Sequence, residues 1–351
     1  MSSAGALALG GCASLTGGGA RLDASAISAN PTLLVATTRK PVNGGRAEPW
    51  FGAERSSAMT VARAKLVAPS EDRFSFAAVG LADWRIDAIE RAPGEVGDLL
   101  APSSGVQDVL IYVHGFRQTF EQAALDAARL SDSIKFRGQT MVFSWPSKAG
   151  LLDYVYDRDS AMWSRDALER VLDSLLRSPN AGRLHIVAHS MGTMLTLESL
   201  RQLYARHSDT ISHRIGAVVF ASPDIDMDVF SSAVTRIGAL AGKITVITAT
   251  NDRALALAGT IAGGMRRVGA SEKAAIEGLG VRVVDASQMG WGIINHDLFL
   301  SNDQVRQVIR RAVEGMPAQS AIGPQLTAAG QADSAPPADR ADGMPRTAPP
   351  R

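Results

Sequence analysis

The 351-residue sequence has one cysteine, few aromatic residues and no long apolar run. A single cysteine excludes a disulfide within the chain and any zinc site built from several thiolates. Aromatic residues make up only 5% of the chain, and no segment has the roughly 18 to 20 consecutive apolar residues that a membrane-spanning helix requires. The net charge is +1 and no dense lysine or arginine cluster occurs, which argues against a nucleic-acid partner.

The lone cysteine lies in a segment typical of a bacterial lipoprotein signal. In "AGALALGGCAS" a short apolar stretch leads through Leu9-Gly10-Gly11 to Cys12, which resembles a lipobox whose cysteine is lipidated. No basic residue occurs before Arg21, and a start site further upstream would supply one. Residues 1–12 therefore predict a lipid-anchored location in the cell envelope, periplasmic or extracytoplasmic. The alternative is a tail of small residues with an incidental cysteine.

Composition divides the rest of the chain into three parts. Residues 13–30 are rich in Ala, Ser and Gly, which is typical of a flexible tether. Residues 316–351 hold almost no large apolar side chains, so they cannot bury enough surface to offset the entropy of ordering and are predicted to be disordered. Residues 31–315 are predicted to form one domain.

Strand-like and helix-like segments alternate within that domain. Apolar runs predict strands at 32–40, 60–69, 73–80, 108–116, 140–147, 183–190, 215–224, 243–252 and 281–287. Helical spacing predicts helices at 120–136, 158–177, 191–206 and 302–315, the last capped by Asn302 or Asp303. This order predicts an α/β fold, with antiparallel first strands and then a mostly parallel sheet covered by helices on both faces. Ligand sites in such sheets lie at the carboxyl ends of the strands.

One serine stands between a buried strand and a helix. The stretch Ala188-His189-Ser190-Met191-Gly192 is close to the Gly-x-Ser-x-Gly nucleophile elbow, with alanine at the first glycine position. Small residues two places before and after Ser190 permit a sharp turn, and the amides at the helix start favour a developing oxyanion. Ser190 is therefore the candidate nucleophile, and the amide of Met191 is one candidate oxyanion donor. The alternative is a serine that only caps the helix.

A nucleophilic serine needs a base, and the base needs an acid to orient it. His296, in "GWGIINHDLFL", follows the last strand, which is where the order serine, acid, histidine places the base. Asp252 ends the strand before the final one and is the preferred acid. The alternatives, all carboxylates after the preceding strand, are Asp224, Asp226 and Asp228. The first two are also explained as a capped helix start, and Asp226 stays a candidate for a supporting partner.

The second oxyanion donor is predicted from the strand that ends in His114-Gly115. This pair resembles the His-Gly motif of lipases and esterases, in which the glycine lets the backbone adopt a conformation that a side chain blocks. The amide of Phe116 then joins that of Met191. The alternative is a turn without a function.

Aromatic residues cluster in "FSWPSKAGLLDYVYDRDSAMW", and with the neighbouring histidine they are candidates to line a substrate pocket. The candidates are His114, Trp145 and Tyr154. An alternative is that these rings only pack a helix against the sheet. Residues 255–280 are small and apolar, and they are either a mobile flap or a long connection.

Several segments together resemble a bacterial family of α/β hydrolases in the esterase/lipase superfamily, whose function is largely unassigned and whose members often carry lipoprotein or secretory signals. The segments include "VATTRK", "IYVHGFRQTFEQAALDAARL", "HIVAHSMGTMLTLESLRQL", "SPDIDMDVF" and "NDRALAL". The resemblance covers roughly 32–313 and implies the α/β-hydrolase fold with a triad of Ser190, Asp252 and His296. The family usually has Tyr-Asn-Asn after His-Gly, where this chain has Phe116-Arg117-Gln118, which implies a different polarity in the oxyanion loop.

These patterns predict a lipase-like serine carboxylesterase that needs no metal and no organic cofactor. Its expected partner is a small-molecule or lipid ester, and contact with a membrane is expected only through the anchor at Cys12. The same triad also performs acyl transfer and thioester cleavage, so both remain alternatives. A non-catalytic envelope-binding lipoprotein is the alternative from another class. The sequence makes no prediction about the oligomeric state.

Overall fold

The computed structural model describes residues 32–42, 48–68, 84–100, 105–249, 251–252, 255, 266–288, 300 and 302–316. The chain divides into two units after Ala318, and all described residues belong to the first. The signal segment, the tether, the tail beyond Met316, the strand predicted at 73–80 and His296 lie outside the described residues.

Nine strands form one sheet within the described residues. Their bounds are β1 Thr32–Pro41, β2 Phe51–Val67, β3 Arg85–Arg91, β4 Gln107–Val113, β5 Gln139–Ser144, β6 Ala181–His189, β7 Ile215–Ala221, β8 Ile244–Thr248 and β9 Arg282–Asp285. The order across the sheet is β3-β2-β1-β5-β4-β6-β7-β8-β9. The pairs β1–β2 and β2–β3 are antiparallel, and every other neighbouring pair is parallel. This arrangement confirms the predicted fold class.

Helices cover both faces of the sheet. Their bounds are α1 Phe120–Ser133, α2 Tyr154–Trp163, α3 Arg165–Arg177, α4 Met191–His207, α5 Met227–Val234, α6 Lys273–Glu277 and α7 Asp303–Val313. The apolar sides of α1 and α7 belong to one buried cluster, and those of α2 to α5 belong to a second cluster on the other face. None of the described helices combines the length and the apolar character that crossing a membrane requires.

The central strands are apolar along most of their length because both of their faces are covered. In β4 the five residues from Val109 to Val113 are buried, and in β6 every residue from Leu184 to His189 is buried. A strand with both faces covered cannot alternate apolar and polar residues, which is why these continuous runs predicted strands correctly. Each of these two strands ends beside a loop of the candidate site.

Several elements differ from the prediction, and helix α6 is among those that were not predicted. Strand β2 begins at Phe51 instead of residue 60, and β3 was not predicted because charged residues fill "RIDAIER". The helix predicted at 158–177 is two helices, α2 and α3, which meet at Ser164. The buried hydroxyl of Ser164 donates to the Ser160 carbonyl at 2.8 Å and also contacts the Thr38 hydroxyl, and a serine that bonds the preceding turn in this way often bends a helix.

The described part of the connection 255–280 is packed against the ends of β7 and β8. The amide of Gly269 donates to the Pro223 carbonyl at 2.9 Å, and the Gly269 carbonyl accepts from the Ala249 amide at 2.8 Å. A Cβ atom at residue 269 would lie 2.7 Å from the backbone nitrogen of Pro223, so only glycine permits this approach. Residues 266–280 therefore form a connection rather than a flap.

Candidate active site

Ser190 occupies a sharp junction between β6 and α4. Its backbone angles are φ 48° and ψ −121°, and α4 begins at the next residue. Conformations of this kind cost a non-glycine residue on the order of 1–3 kcal/mol and persist only where surrounding contacts hold them. The Ser190 side chain makes no capping hydrogen bond to α4. The capping alternative therefore does not account for this serine.

Backbone hydrogen bonds hold the junction from both sides. The Ser190 amide donates to the Ala221 carbonyl at the end of β7, at 2.9 Å. The Ser190 carbonyl accepts from the amide of Thr193 at 3.0 Å and from the amide of Asp224 at 3.3 Å. The strained conformation is therefore held by the backbone of α4 and of the segment after β7.

Two glycines let the loop after β4 lie directly against Ser190. A Cβ atom at Gly115 would lie 3.0 Å from the Cβ atom of Ser190, and one at Gly192 would lie 2.3 Å from the carbonyl oxygen of His114. The approach at Gly192 is too close for any side chain, and a side chain at Gly115 would force Ser190 to shift. The amides of Phe116 and Met191, the two candidate oxyanion donors, therefore belong to backbone segments that contact each other beside the serine.

His114 is buried in the interior and bonded to its own loop. Burial and the nearby charge of Arg39 hold the pKa of the His114 imidazole well below its usual value, so the ring is neutral. A neutral ring fits these neighbours if the proton is on Nδ1, which then donates to the Gly115 carbonyl at 2.8 Å while Nε2 accepts from the Trp145 amide at 3.1 Å.

Trp145 stacks on the His114 ring with a centroid separation of 4.6 Å. Its indole Nε1 donates to the His114 carbonyl at 2.8 Å, and both rings are fully buried. These contacts fit the alternative in which the two rings only pack the interior, because both rings are buried and hold the backbone of the loop after β4.

Tyr154, the third pocket candidate, belongs to a buried cluster of polar groups. Its hydroxyl donates to Asp224 Oδ2 at 2.8 Å, and Arg267 Nη2 donates to that hydroxyl at 3.4 Å. Arg267 also forms a buried ion pair with Asp224, with 3.1 Å between Nε and Oδ1. Burial and the charge of Asp224 raise the pKa of Tyr154, so its hydroxyl keeps the proton that it donates. The Tyr154 ring meets the half-buried ring of Phe116 edge-on at 5.5 Å.

The carboxylates after β7 have structural partners. Asp224 is paired with Arg267. Asp226 caps α5, accepting from the amides of Asp228 and Val229 at 3.0 and 3.2 Å. The capped helix start is thereby confirmed for Asp226. Asp228 lies in the exposed first turn of the same helix.

Asp252 lies beyond the end of β8 and is buried, with 1% of its surface exposed. Its Oδ1 accepts from the Leu255 amide at 3.1 Å, and its own amide donates to the Ala249 carbonyl at 3.0 Å. Strands β6 and β8 are separated by β7, and neighbouring strands are 4.7–4.9 Å apart, so the two strand ends are about 10 Å apart. In a triad the imidazole ring lies between the serine and the carboxylate and contacts both. The serine and the carboxylate must therefore be separated by a distance of this order.

Three buried charged residues near the site were not predicted from the sequence. They are Arg39, Asp157 and Arg267. Arg39 carries a signal that was available: a lone arginine ends the apolar strand "TLLVATTRK", in which the seven residues from Leu33 to Arg39 are buried. The partners of Arg267, which are Asp224 and Tyr154, are far away in sequence, so no local pattern indicates this arginine. Asp157 binds Ser147 and Lys148, which lie only ten and nine residues before it in the preceding loop.

Comparison with known proteins agrees with the fold. The family model described as "Alpha/beta hydrolase of unknown function (DUF900)" matches residues 96–312, which is more than half of the chain. An uncharacterized protein, alr1448, from Nostoc sp. is 25% identical over a region that covers 33% of this chain and 36% of that protein. The match therefore spans about a third of each of these two proteins.

Three solved structures are also similar at low levels. A cutinase-like protein from Cryptococcus sp. is 16% identical with a TM-score of 0.34, covering 60% of this chain and 97% of that one. An esterase from Pyrobaculum calidifontis is 15% identical with a TM-score of 0.35, covering 72% and 81%. Est1E from Butyrivibrio proteoclasticus is 12% identical with a TM-score of 0.37, covering 72% and 93%. Similarities this low carry no argument about substrate.

Proposed function

The chain belongs to the DUF900 family of α/β hydrolases, and we propose that it is a serine hydrolase that cleaves carboxylic esters. Ser190 attacks the ester carbonyl and forms an acyl-enzyme, which water then hydrolyses. The amides of Phe116 and Met191 stabilise the oxyanion of each tetrahedral intermediate. The reaction as written uses only groups of the protein and water.

The backbone of Ser190 is the observation that carries this proposal. A buried serine with φ 48° costs free energy, and its side chain does not cap the helix that follows. A strained residue at a strand end beside two closely packed loops is typical of a nucleophile elbow. The glycines at 115 and 192 support the same interpretation, because they bring both candidate amides to the serine.

The proposal assigns Asp252 as the acid and His296 as the base. Asp252 is favoured because the carboxylate of Asp224 is engaged with Tyr154 and Arg267, and that of Asp226 caps a helix. His296 lies outside the described residues, so its assignment rests on its position in the sequence. In this scheme His296 takes the proton from Ser190 and gives it to the leaving alcohol, while Asp252 holds the imidazole tautomer.

Covalent labelling with a fluorophosphonate probe tests the nucleophile. The wild-type protein should be labelled once, at Ser190, and Ser190→Ala should not be labelled. Ser222→Ala is the matched control, because Ser222 is also buried, directly follows the neighbouring strand β7 and has φ 46°. Labelling of Ser190→Ala at the wild-type rate would refute the proposal. Absence of both labelling and ester hydrolysis in the wild-type protein would favour the non-catalytic alternative.

A series of p-nitrophenyl esters of increasing acyl length tests the substrate class. We expect hydrolysis that depends on Ser190. Matched thioesters, and reactions with an added alcohol acceptor, separate the two enzymatic alternatives. A higher kcat/KM for thioesters favours a thioesterase, and ester product formed from the alcohol in preference to hydrolysis favours an acyltransferase.

We also propose that Cys12 is acylated and anchors the protein in the cell envelope. The support is the Leu-Gly-Gly-Cys pattern followed by a tether of small polar residues. In bacterial cells the wild-type protein should fractionate with membranes, and Cys12→Ser should be released into the soluble fraction. If Cys12→Ser stays with the membranes, acylation of Cys12 is not what holds the protein there.

A further inference from the structure

Arg39, near the carboxyl end of β1, is among the largest fully buried side chains. Its Nε donates to the hydroxyl of Ser144 at 2.9 Å. Its Nη1 donates to the carbonyls of Gly52 and Ser147 at 3.2 and 3.1 Å, and its Nη2 donates to the carbonyl of Gln118 at 2.6 Å. In the part of the chain that the structure describes, these partners are neutral oxygens, so dipoles rather than a paired carboxylate surround the charge.

Such a position is costly for an arginine. Burial lowers the pKa of Arg39 to about 10, and the charges of Glu121 and Asp157 offset part of that effect. An apolar side chain of similar length would fill the space without removing a charge from water. Only a guanidinium can donate to several loops at once. We therefore expect the role of Arg39 to lie in these contacts.

Arg39 joins two loops whose backbones are strained. The loop after β4 contains Arg117 with φ 62°, and the loop after β5 contains Ala149 with φ 61°. Left-handed conformations at non-glycine residues persist only where neighbouring groups determine them. Arg39 supplies one such determinant in each loop, at the carbonyls of Gln118 and Ser147.

Asp157 holds the same two loops from α2. Its buried carboxylate accepts from the amide of Lys148 at 2.9 Å and from the hydroxyl of Ser147 in the loop after β5. It also lies close enough to the backbone amide of Arg117 for that amide to favour the charged carboxylate. Two opposite charges in the interior thus lie beside the loop that contains Phe116, with Arg39 bound to the Gln118 carbonyl and Asp157 near the Arg117 amide.

His114 connects Arg39 to the oxyanion peptide itself. The imidazole Nδ1–H donates to the Gly115 carbonyl, and the peptide between Gly115 and Phe116 is planar and trans. A fixed carbonyl direction therefore fixes the opposite direction of the Phe116 N–H. Arg39 Nη2 lies 3.5 Å from Nε2 of His114, and a positive charge there disfavours a proton on Nε2.

We propose that Arg39 is a positioning residue for the oxyanion hole, which orients the Phe116 amide towards the reacting oxygen by holding the loop of residues 114–119. This inference rests on the proposed function, because the orientation of that amide affects a rate only if Ser190 is the nucleophile. Arg39 itself does not touch the substrate in this scheme.

Replacement by lysine tests the positioning role. Arg39→Lys keeps a positive charge but cannot reach the same set of oxygens, so we expect kcat to fall about 10- to 100-fold, somewhat less than the loss of a whole oxyanion donor. KM should change by no more than about twofold, because the oxyanion forms only in the transition state. Each kcat is normalised to the fraction of protein that the fluorophosphonate probe titrates. Arg63→Lys is the control. Arg63 lies in β2 and also donates to a backbone carbonyl, that of Leu99, but among the described residues it has no hydrogen bond to the loop of residues 114–119. The kcat of Arg63→Lys should match that of the wild type.

Hydrogen–deuterium exchange gives a readout that does not need activity. The peptide spanning residues 114–119 should exchange faster in Arg39→Lys and unchanged in Arg63→Lys. If Arg39→Lys does not fold, Asp157→Asn replaces it, because it loosens the same loop from the other side, and the same two changes are expected. Wild-type exchange in that peptide, or a wild-type kcat in a folded variant, would overturn the inference. Absence of Ser190 labelling in the wild type would instead overturn the proposed function, and the exchange result would still decide whether Arg39 holds the loop.

Discussion

Strands β6 and β7 are neighbours in the sheet. The segments that follow them begin with a similar residue but then differ. Each strand is followed by a buried serine in a left-handed conformation, Ser190 with φ 48° and Ser222 with φ 46°. After Ser190, α4 begins at once, whereas four residues separate Ser222 from the start of α5 at Met227. The longer second junction has room for residues that cap and pair.

Polar groups at the second junction have partners that explain them as structure. Asp226 caps α5, and Asp224 is held by Tyr154 and Arg267. At the first junction the serine side chain does not cap its helix, and the turn is held by backbone hydrogen bonds and by the Thr193 hydroxyl, which donates to the Ser190 carbonyl. The comparison teaches that a strained strand end does not indicate chemistry by itself. At Ser190 a helix begins at once and its first turn packs against the loop after β4, whereas the segment after Ser222 supplies a helix cap and a buried ion pair.

The largest expected effect tests the two serines against each other. Ser190→Ala should lower kcat by about 10⁴- to 10⁶-fold, because the acyl-enzyme cannot form. Ser222→Ala should stay within about threefold of the wild type, and both variants should keep the wild-type circular dichroism spectrum. Steady-state hydrolysis of the best p-nitrophenyl ester measures this. Equal losses in the two variants would mean that the junctions do not differ in function.

The next effect separates the two buried carboxylates, Asp252 and Asp224. Asp252→Asn should lower kcat by roughly 10⁴-fold, because an amide favours the wrong imidazole tautomer. Asp224→Asn should instead lower the free energy of unfolding by about 3 kcal/mol, because it leaves Arg267 buried without its anionic partner. Its turnover per titrated active site should remain within about tenfold of the wild type.

Urea unfolding and turnover, measured on both variants, decide the assignment. A stable Asp224→Asn that has lost turnover, beside an active Asp252→Asn, would move the acid one strand towards Ser190. The nucleophile would be unaffected by that result.

Much of the fold was predictable because its central strands are buried on both faces. The runs that became β4, β6, β7 and β8 are apolar along most of their length, and Asn302 caps α7 as predicted by accepting from the amides of Gln304 and Val305. The first strands were predicted less well. Strand β3 lies at the edge of the sheet, where one face and one side meet solvent, so its sequence carries charges that hide the strand pattern.

The site was predictable where it depends on residues close together in sequence. The elbow at Ser190 and the glycine at 115 are local patterns of four or five residues. Arg39, in contrast, is recognised only when residues 52, 118, 144 and 147 come together around it. His114 was predicted as a pocket residue, and the structure buries its ring against Trp145, which nothing in "IYVHGF" indicates.

A glycine substitution tests how closely the first junction is packed. The Cβ atom of Gly192→Ala would lie 2.3 Å from the backbone oxygen of His114, so α4 must move away from the loop after β4. We expect a loss of about 1–3 kcal/mol in the free energy of unfolding. The movement also separates the two oxyanion amides, so kcat should fall. Gly242→Ala is the control, since its Cβ atom would meet nothing within 4 Å; wild-type stability in both variants would contradict the close approach.

The smallest effect concerns the cap of α5, and it tests the structural side of the comparison. Asp226→Ala removes the acceptor for the amides of Asp228 and Val229, which should cost about 1 kcal/mol in the free energy of unfolding. Asp226→Asn should cost almost nothing, since asparagine caps helices as well as aspartate does. Neither variant should change kcat, because the carboxylate serves the helix. Loss of turnover in Asp226→Asn at unchanged stability would instead give the second junction a catalytic group, since the cap would be intact and only the charge would be missing.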